Sequence, residues 1–473
     1  MSKMNPVPKL IFQYKFHLLL FIISFLILTK FNIDPDLGWH LAYGQKFLQE
    51  GRILRVDEFS WTMPGYEWGN SYFMFQILTA FLFQKFGHLS SAIIFGIIAA
   101  FSVLMLLPKK LNFWAILIVG LGSLIALANA GIRPHITDLP FLALLLYLLD
   151  KEKFRNRNYI PLWFVFFAIW ANFHVGFFFG LLIFAAMIVI DLASQIRSKK
   201  RISILIGGLS IAAAFIGTLL TPFHFQMWKS IFFDSAGLVG WRSIQSLQST
   251  AIFMPYNFLL ALSGIIFIFV LRSKINKIKP AWLIISSFLF AFVFFVVDFV
   301  YLWVAMFIFL GTRHFRINLD LKSDLLTKIS LFFPLTAVIL AFFLVFVVNF
   351  LESWTLNERL RKDRYPVDAV KFLTENNLDG NLFNDYAWGG YINWQAPQIK
   401  VFIDGRFAGW VKSDGSSFLA DYLAILKGQC SVFEKYEIKT VLVNKNFNVS
   451  CLGNFKKIYE DDNARIFTLP AVQ

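Results

Sequence analysis

Two carboxylates separated by a single proline, Asp34-Pro35-Asp36, follow directly on an apolar run and stand just before Trp39-His40. Carboxylates this close can divide the work of a general base and a cation or substrate anchor when their surroundings push their pKa values apart. His40 lies one helical turn beyond Asp36, so a helix beginning here would turn both toward one site. An aspartate at such a place is also an ordinary N-cap, and spacing alone leaves the two readings open. The same pair, Asp34 and Asp36, could hold a divalent ion through carboxylate oxygens, although nothing in the spacing requires a metal or any other cofactor.

Three further polar groups interrupt apolar sequence: Arg133-Pro134-His135, Asn172-Phe173-His174 and Thr221-Pro222-Phe223-His224. Ionisable groups near bilayer depth are expensive unless they meet one another or line a wet cavity. Each taken singly reads equally well as a capping or snorkelling residue. Together they nominate Arg133, His135, Asn172, His174 and His224, with His40, as binding residues of an outward-opening cavity. Asp298, inside Val297-Asp298-Phe299, is either at an outer helix–helix turn or an intramembrane carboxylate, while Trp241, Tyr301 and Trp303 read as interface anchors. Near the C-terminus, Asn384-Asp385-Tyr386 and Ile403-Asp404-Gly405-Arg406 set Asp385, Asp404 and Arg406 just beyond short apolar runs. Strand ends are where α/β domains bind ligands, and both groups are equally readable as tight turns that set packing.

The elements that must carry these residues follow from composition. Of 473 residues, 58% are hydrophobic and 15% charged, with 58 Phe, more apolar side chain than one soluble core of this length can bury. Apolar runs recur at roughly 16–31, 72–86, 90–107, 112–130, 135–149, 159–173, 176–192, 203–220, 256–271, 281–296, 297–311 and 327–350. The fold class is therefore a polytopic α-helical membrane protein of about 11–12 spans over 1–350, followed by a small C-terminal α/β soluble domain over 351–473. The uncertainty of one span lies in 72–107, where counting two crossings would put Lys109-Lys110 on the outer face.

The net charge of +15 is divided among short connections such as Lys151 to Arg157, Arg197 to Arg201 and Arg272 to Lys279. That is a positive-inside pattern rather than a basic face, which excludes nucleic acid as a partner and puts the C-terminal domain outside the cytoplasm. The first apolar run ends in Thr29-Lys30 without a small-residue cleavage site and reads as an uncleaved span. Residues 31–71 form an outer loop in which Leu37 to Glu50 suits an amphipathic helix lying on the membrane, ended by Gly51. The two cysteines, Cys430 and Cys451, are either one disulfide or two free thiols. In the C-terminal part, a helix from Pro366 to about Asn377 and strands at 381–384, 399–403, 439–443, 454–459 and 464–468 are predicted.

Taken in combination, these motifs resemble a known group. Asp34-Pro35-Asp36-Leu37 with Trp39-His40-Leu41, Gly51-Arg52-Ile53, Asp57-Glu58-Phe59-Ser60-Trp61-Thr62, Trp68 and Gln76 look like the first outer loop of bacterial membrane glycosyltransferases of the GT-C superfamily. The branch is the one similar to protein O-mannosyltransferases and lipid A aminoarabinose transferases. Arg133-Pro134-His135, Trp170-Ala171-Asn172-Phe173-His174 and Thr221-Pro222 fall in the corresponding order, and Trp388-Gly389-Gly390-Tyr391 with Phe402-Ile403-Asp404-Gly405-Arg406 matches the terminal motifs. The chain departs from the branch at Ser246, where an acidic residue is usual, and at Asp298, where a basic one is. The resemblance implies a hexosyl or pentosyl transferase of the bacterial cytoplasmic (inner) membrane. It would take a sugar from a polyprenyl phosphate to a lipid, glycan or protein acceptor on the outer face, with Asp36 or Asp34 as catalytic base; in the mechanism expected on that reading, Arg133 and His135 or His174 stabilise the departing phosphate. The competing classes are a lipid or sugar transporter and a non-catalytic scaffold. A transporter of the repeat type would need deep paired charges or matching broken helices, and the sequence pattern offers neither.

Overall fold

A computed structural model describes residues 6–112, 114–197, 204–234, 250–294, 299–315, 325–378, 380–412, 414–447 and 450–470. Ser246, Asp298 and Trp241 lie outside the described residues. In chain order the first helices are α1 (Pro6–Leu28), α2 (Leu37–Glu50), α3 (Phe73–Leu106), α4 (Trp114–Ala126), α5 (His135–Asp150), α6 (Ile160–Ala171), α7 (Phe177–Arg197), α8 (Ile204–Thr218) and α9 (Phe225–Lys229). Helices Thr250–Lys274, Pro280–Val293, Val300–His314 and Leu325–Glu352 follow. A small sheet is then built from β1 (Leu382–Asn384), β2 (Thr440–Asn444), β3 (Lys456–Glu460) and β4 (Ala464–Thr468).

Contacts divide the chain into two compact units. One comprises Met1–Phe31, Ala92–Leu220 and Gln248–Leu351; the other comprises Asn32–Ser91, Thr221–Leu247 and Glu352–Gln473. The segment expected as an outer loop thus belongs to the same unit as the C-terminal part.

All regular secondary structure among the first unit's described residues is helical, as long apolar runs with few breakers demand. Small residues let its backbones approach: a Cβ on Gly217 of α8 would stand 2.3 Å from the carbonyl oxygen of Phe164 in α6. Tyr301 and Trp303, expected as interface anchors, are instead 1% and 0% exposed, and the Trp303 indole donates to Ser263 Oγ at 2.9 Å. Their helix, Val300–His314, is buried along nearly its whole length, which leaves no face for an interface role. By length and composition, one helix among the described residues, α3, is long and apolar enough to cross a bilayer; shorter apolar helices occupy most of the other expected spans. Two spans are predicted where α3 is a single element, broken at Gly87 with φ 74° in the left-handed region that glycine enters at no steric cost.

In the second unit α2 begins at Leu37 and ends at Gly51, whose φ of 65° closes the helix with its N–H on the Phe47 carbonyl at 2.8 Å. Within this unit Leu37 to Gly44 of the helix are all buried, while Leu48 to Glu50 are exposed. The reason is close packing on two sides. A Cβ on Gly38 would stand 2.2 Å from the Gly390 carbonyl oxygen, and one on Gly44 would stand 2.1 Å from that of Gln76. The sheet runs β1-β2-β4-β3, with β1 parallel to β2 and the other pairs antiparallel, Val441 standing between Phe383 and Phe467. The run 399–403 makes no strand of this sheet. Val401 forms one parallel bridge with Ser60, and the Thr62 hydroxyl donates to the Phe402 carbonyl at 2.7 Å. Trp39, Tyr43, Phe59 and Trp68 share a single hydrophobic cluster with Phe383, Phe402, Phe407, Trp410 and Val441, so the two stretches of sequence fold around one core. Cys430 and Cys451 are paired, with Cα atoms 4.9 Å apart.

Candidate functional site

Asp34 opens the turn that starts α2. Its Oδ1 accepts the Asp36 N–H at 3.0 Å and its carbonyl accepts that of Leu37 at 3.0 Å, the local bonding that makes aspartate a turn former. Asp36 occupies the N-cap position but makes no side-chain cap bond. Its Oδ1 accepts the indole N–H of Trp39 at 3.1 Å instead. Both carboxylates are half-buried. The chain entering this turn is tied down by Asp363, whose Oδ2 accepts the Ile33 N–H at 2.8 Å while Arg359 clamps both its oxygens at 2.9 and 2.6 Å. A cleft of about 270 Å³ opens here, lined by Asn32, Ile33, Pro35, Asp363, Tyr365, Ala387 and Trp388.

His40 is only 2% exposed. Its ring lies tilted against Trp39 with centroids 3.5 Å apart, meets Tyr72 and Phe75 edge-on, and has Gln76 Nε2 3.5 Å from Nδ1. His40 is a core ring rather than a residue facing an open cavity. His224 is exposed, at the start of α9 with φ 44°.

The terminal motifs are built into the same unit. Asp404 and Arg406 side chains are fully buried with that of Asp57, and Arg406 pairs with both carboxylates. Arg406 Nε donates to Asp404 Oδ1 at 2.9 Å, Nη1 to the Tyr43 hydroxyl at 2.7 Å, and Asn393 Nδ2 to Asp404 Oδ2 at 2.7 Å. Burial alone would lower the Arg406 pKa; the two carboxylates outweigh it and hold the guanidinium well above its usual value. Burial likewise pushes the Tyr43 phenol well up. Asp385 accepts the Ala387 N–H at 3.1 Å and the Asn444 amide at 2.8 Å, which makes it a turn residue joining β1 to β2. Of the two readings of these motifs, the geometry fits tight turns that set packing.

The helical unit holds a second polar group. Asp138, in the first turn of α5, is 0% exposed and accepts the Trp170 indole N–H at 2.6 Å; its other oxygen pairs with His174 Nδ1. The His174 ring lies 4.5 Å from that of His135, and Tyr301 stands 5.8 Å from His135. A Cβ on Gly176 would stand 2.2 Å from Asp138 Oδ2, so the loop after α6 closes directly over the carboxylate. Arg133 is half-buried at the start of α5. Asn172 caps α6, donating to the carbonyls of Ala168 and Leu220 at 2.8 and 2.9 Å. His135 and His174 are thus brought together, and Asn172 is given to backbone.

Sequence reasoning passed over Asp138, Asp57 and Tyr43. For Asp138 the signal was available: a carboxylate three residues after His135 in an otherwise apolar helix is a default functional candidate. Asp57 stands in one of the motifs that carry the resemblance, but its pairing, like that of Tyr43, is not legible, because the partner Arg406 is some 350 positions away in sequence. Two carboxylates make a sparse ligand set for a hard cation, and among the described residues no group of three or more His, Cys, Asp or Glu side chains gathers at Asp34 and Asp36 or elsewhere.

No protein-family model matches the chain, and no curated protein matches it in sequence. Among solved structures, the archaeal oligosaccharyltransferase AglB from Archaeoglobus fulgidus, in complex with an inhibitory peptide and a dolichol-phosphate, is similar at 12% identity. The match covers 91% of this chain and 70% of that one with a TM-score of 0.48. A likeness of that degree assigns no role to any residue of this chain.

Proposed function

We propose that this chain is a membrane glycosyltransferase that moves a sugar from a polyprenyl-phosphate donor to an acceptor hydroxyl outside the cytoplasm. The observation that carries the reading is the Asp34-Pro35-Asp36 turn: two half-buried carboxylates, set at a helix start by Asp34 and Trp39, beside a cleft whose wall includes Pro35. It lies in the loop whose residues bear the strongest resemblance to GT-C enzymes. Asp36 is the base. It takes the proton from the acceptor hydroxyl as that oxygen bonds to the anomeric carbon, while the bond from that carbon to the phosphate oxygen breaks and polyprenyl phosphate leaves with the electron pair. Asp34 holds the turn through the Asp36 N–H. The cleft is the acceptor's approach. The Cys430–Cys451 pair supports an oxidising location for the terminal part, since disulfides persist outside the cytoplasm.

The reading is tested by Asp36→Asn in the full chain reconstituted in lipid, assayed for release of labelled sugar from polyprenyl-phosphate donors. Loss of about 10²–10⁴-fold in rate with normal expression is expected for removal of a general base. Wild-type turnover by Asp36→Asn would refute the assignment.

A further inference from the structure

We propose that the Asp404-Gly405-Arg406 turn is a positioning element for Asp36, with Gly405 setting where the carboxylate stands. The proposal rests on the reading of Asp36 as base. A Cβ built on Gly405 would lie 1.8 Å from Asp36 Oδ1, 2.9 Å from its Cγ and 3.3 Å from Trp39 Nε1. The Gly405 backbone therefore touches the same carboxylate oxygen that the Trp39 indole N–H holds at 3.1 Å. Gly405 is not in the left-handed region, so an alanine could adopt its backbone angles; only the space is refused.

The turn on one side of this contact cannot yield. Asp404 Oδ1 accepts the Arg406 N–H at 3.0 Å, Asn393 holds Asp404 Oδ2, and the Arg406 guanidinium is fastened to Asp57 and Tyr43, all of them buried. A second glycine repeats the approach: a Cβ on Gly390 would stand 2.7 Å from the Pro35 carbonyl oxygen and 3.2 Å from the Trp39 N–H nitrogen. The terminal segment thus grips both the backbone and the carboxylate of the Asp34-Pro35-Asp36 turn. Asp36 itself is half-buried and short, and rotation about its χ1 moves the carboxylate without moving any backbone. A side chain at 405 is therefore accommodated by displacing the carboxylate, by an ångström or more, while the fold is kept. Displacement of that size in a reacting group costs on the order of 10²-fold in rate.

The test uses the full chain reconstituted in lipid, with a panel of polyprenyl-phosphate hexoses and pentoses carrying tritiated sugar as probe. Gly405→Ala is expected to keep its apparent melting temperature within about 2 °C of wild type, to lower kcat roughly 10- to 100-fold, and to leave KM within about twofold. Trp39→Phe, which removes the N–H on Asp36 Oδ1 and leaves a smaller aromatic ring in the core, is expected to lower kcat in the same way, with circular dichroism and the melting temperature checking that the core is kept. Wild-type kcat in both variants, with Asp36→Asn inactive, overturns the positioning role and leaves the base assignment standing. Wild-type kcat in Asp36→Asn, or no turnover of any donor by the wild-type chain, overturns both. Loss of fold in Gly405→Ala overturns the claim that the carboxylate yields first, and Trp39→Phe then decides whether Asp36 is held for catalysis.

Discussion

Replacing Asp57 by alanine removes the carboxylate through which the loop and the terminal segment share a buried ion pair. The Asp57 side chain is fully buried and accepts four hydrogen bonds: the N–H groups of Phe59 and Ser60 at 3.2 and 3.0 Å, the Ser60 hydroxyl, and Arg406 Nη1. The first three hold the turn after Val56. The fourth is charge-assisted, and its loss leaves Arg406 with Asp404 alone among carboxylates. The change strands the buried N–H groups of Phe59 and Ser60 and one N–H of Arg406, at about 1–3 kcal/mol each and near the low end where Arg406 keeps Asp404, so about 3–5 kcal/mol in all. For a unit of roughly 200 residues each kcal/mol is about 2–4 °C, which predicts an apparent melting temperature lower by about 6–20 °C. Asp57→Asn keeps one acceptor oxygen and is expected to lose about half as much. The assay is tryptophan fluorescence against temperature on the full chain in detergent, since Trp39, Trp68 and Trp410 report on this core. Asp414→Ala, at an exposed carboxylate, is the control. A fall under about 2 °C, matching the control, would refute the argument that one buried network holds 32–91 and 352–473 in a common core.

Asp138→Ala takes the carboxylate from Trp170 and His174 and is expected to cost about 1–3 kcal/mol, with Asp138→Asn milder. An unchanged apparent melting temperature in Asp138→Ala counts against the pair as a structural bond. The Arg52 guanidinium, hydrogen-bonded to Glu58, holds that carboxyl down to about 2, from 4.5. A depressed folded-state value means the contribution is complete above about pH 4.5 and is lost as pH falls toward 2. Because Arg52 is half exposed, solvent screens the pair and its contribution is small. Glu58→Gln should therefore lose a small part of its stability at pH 7 and none at pH 2, so the melting-temperature gap to wild type closes on acidification. A gap that stays constant with pH contradicts it.

Much of the architecture is legible locally. The helix Leu37–Glu50 appears with both ends as predicted, because the Asp34 turn and Gly51 punctuate it and neither needs a distant partner. The strands at 382–384, 440–444, 456–460 and 464–468 appear where short apolar runs predict them. The run at 399–403 fails as a strand because its neighbour is a single bridge from Ser60, an event of pairing rather than of propensity. The break at Gly87 was legible as an ambiguity between one span and two. Its form was not, since a glycine permits a left-handed residue without requiring it.

What the sequence determined by itself is the inventory: apolar helices, a loop rich in charge between two of them, a small mixed sheet, and the paired carboxylates at Asp34 and Asp36. Composition and period are properties of neighbours along the chain, so they need no fold to be read. Only the tertiary structure decided which polar residues are spent. Arg406, Asp404 and His40 look like site residues in sequence and are buried in a core, whereas Asp138, a carboxylate in an apolar helix, takes two buried partners that its sequence does not name. The physical reason is that a charge is judged by its desolvation and its partners, and these come from other segments, some 30 residues away for Asp138 and about 350 for Arg406. The Asp34-Pro35-Asp36 turn could be found by eye; the glycine at 405 that bears on it could be found only once the chain had folded back.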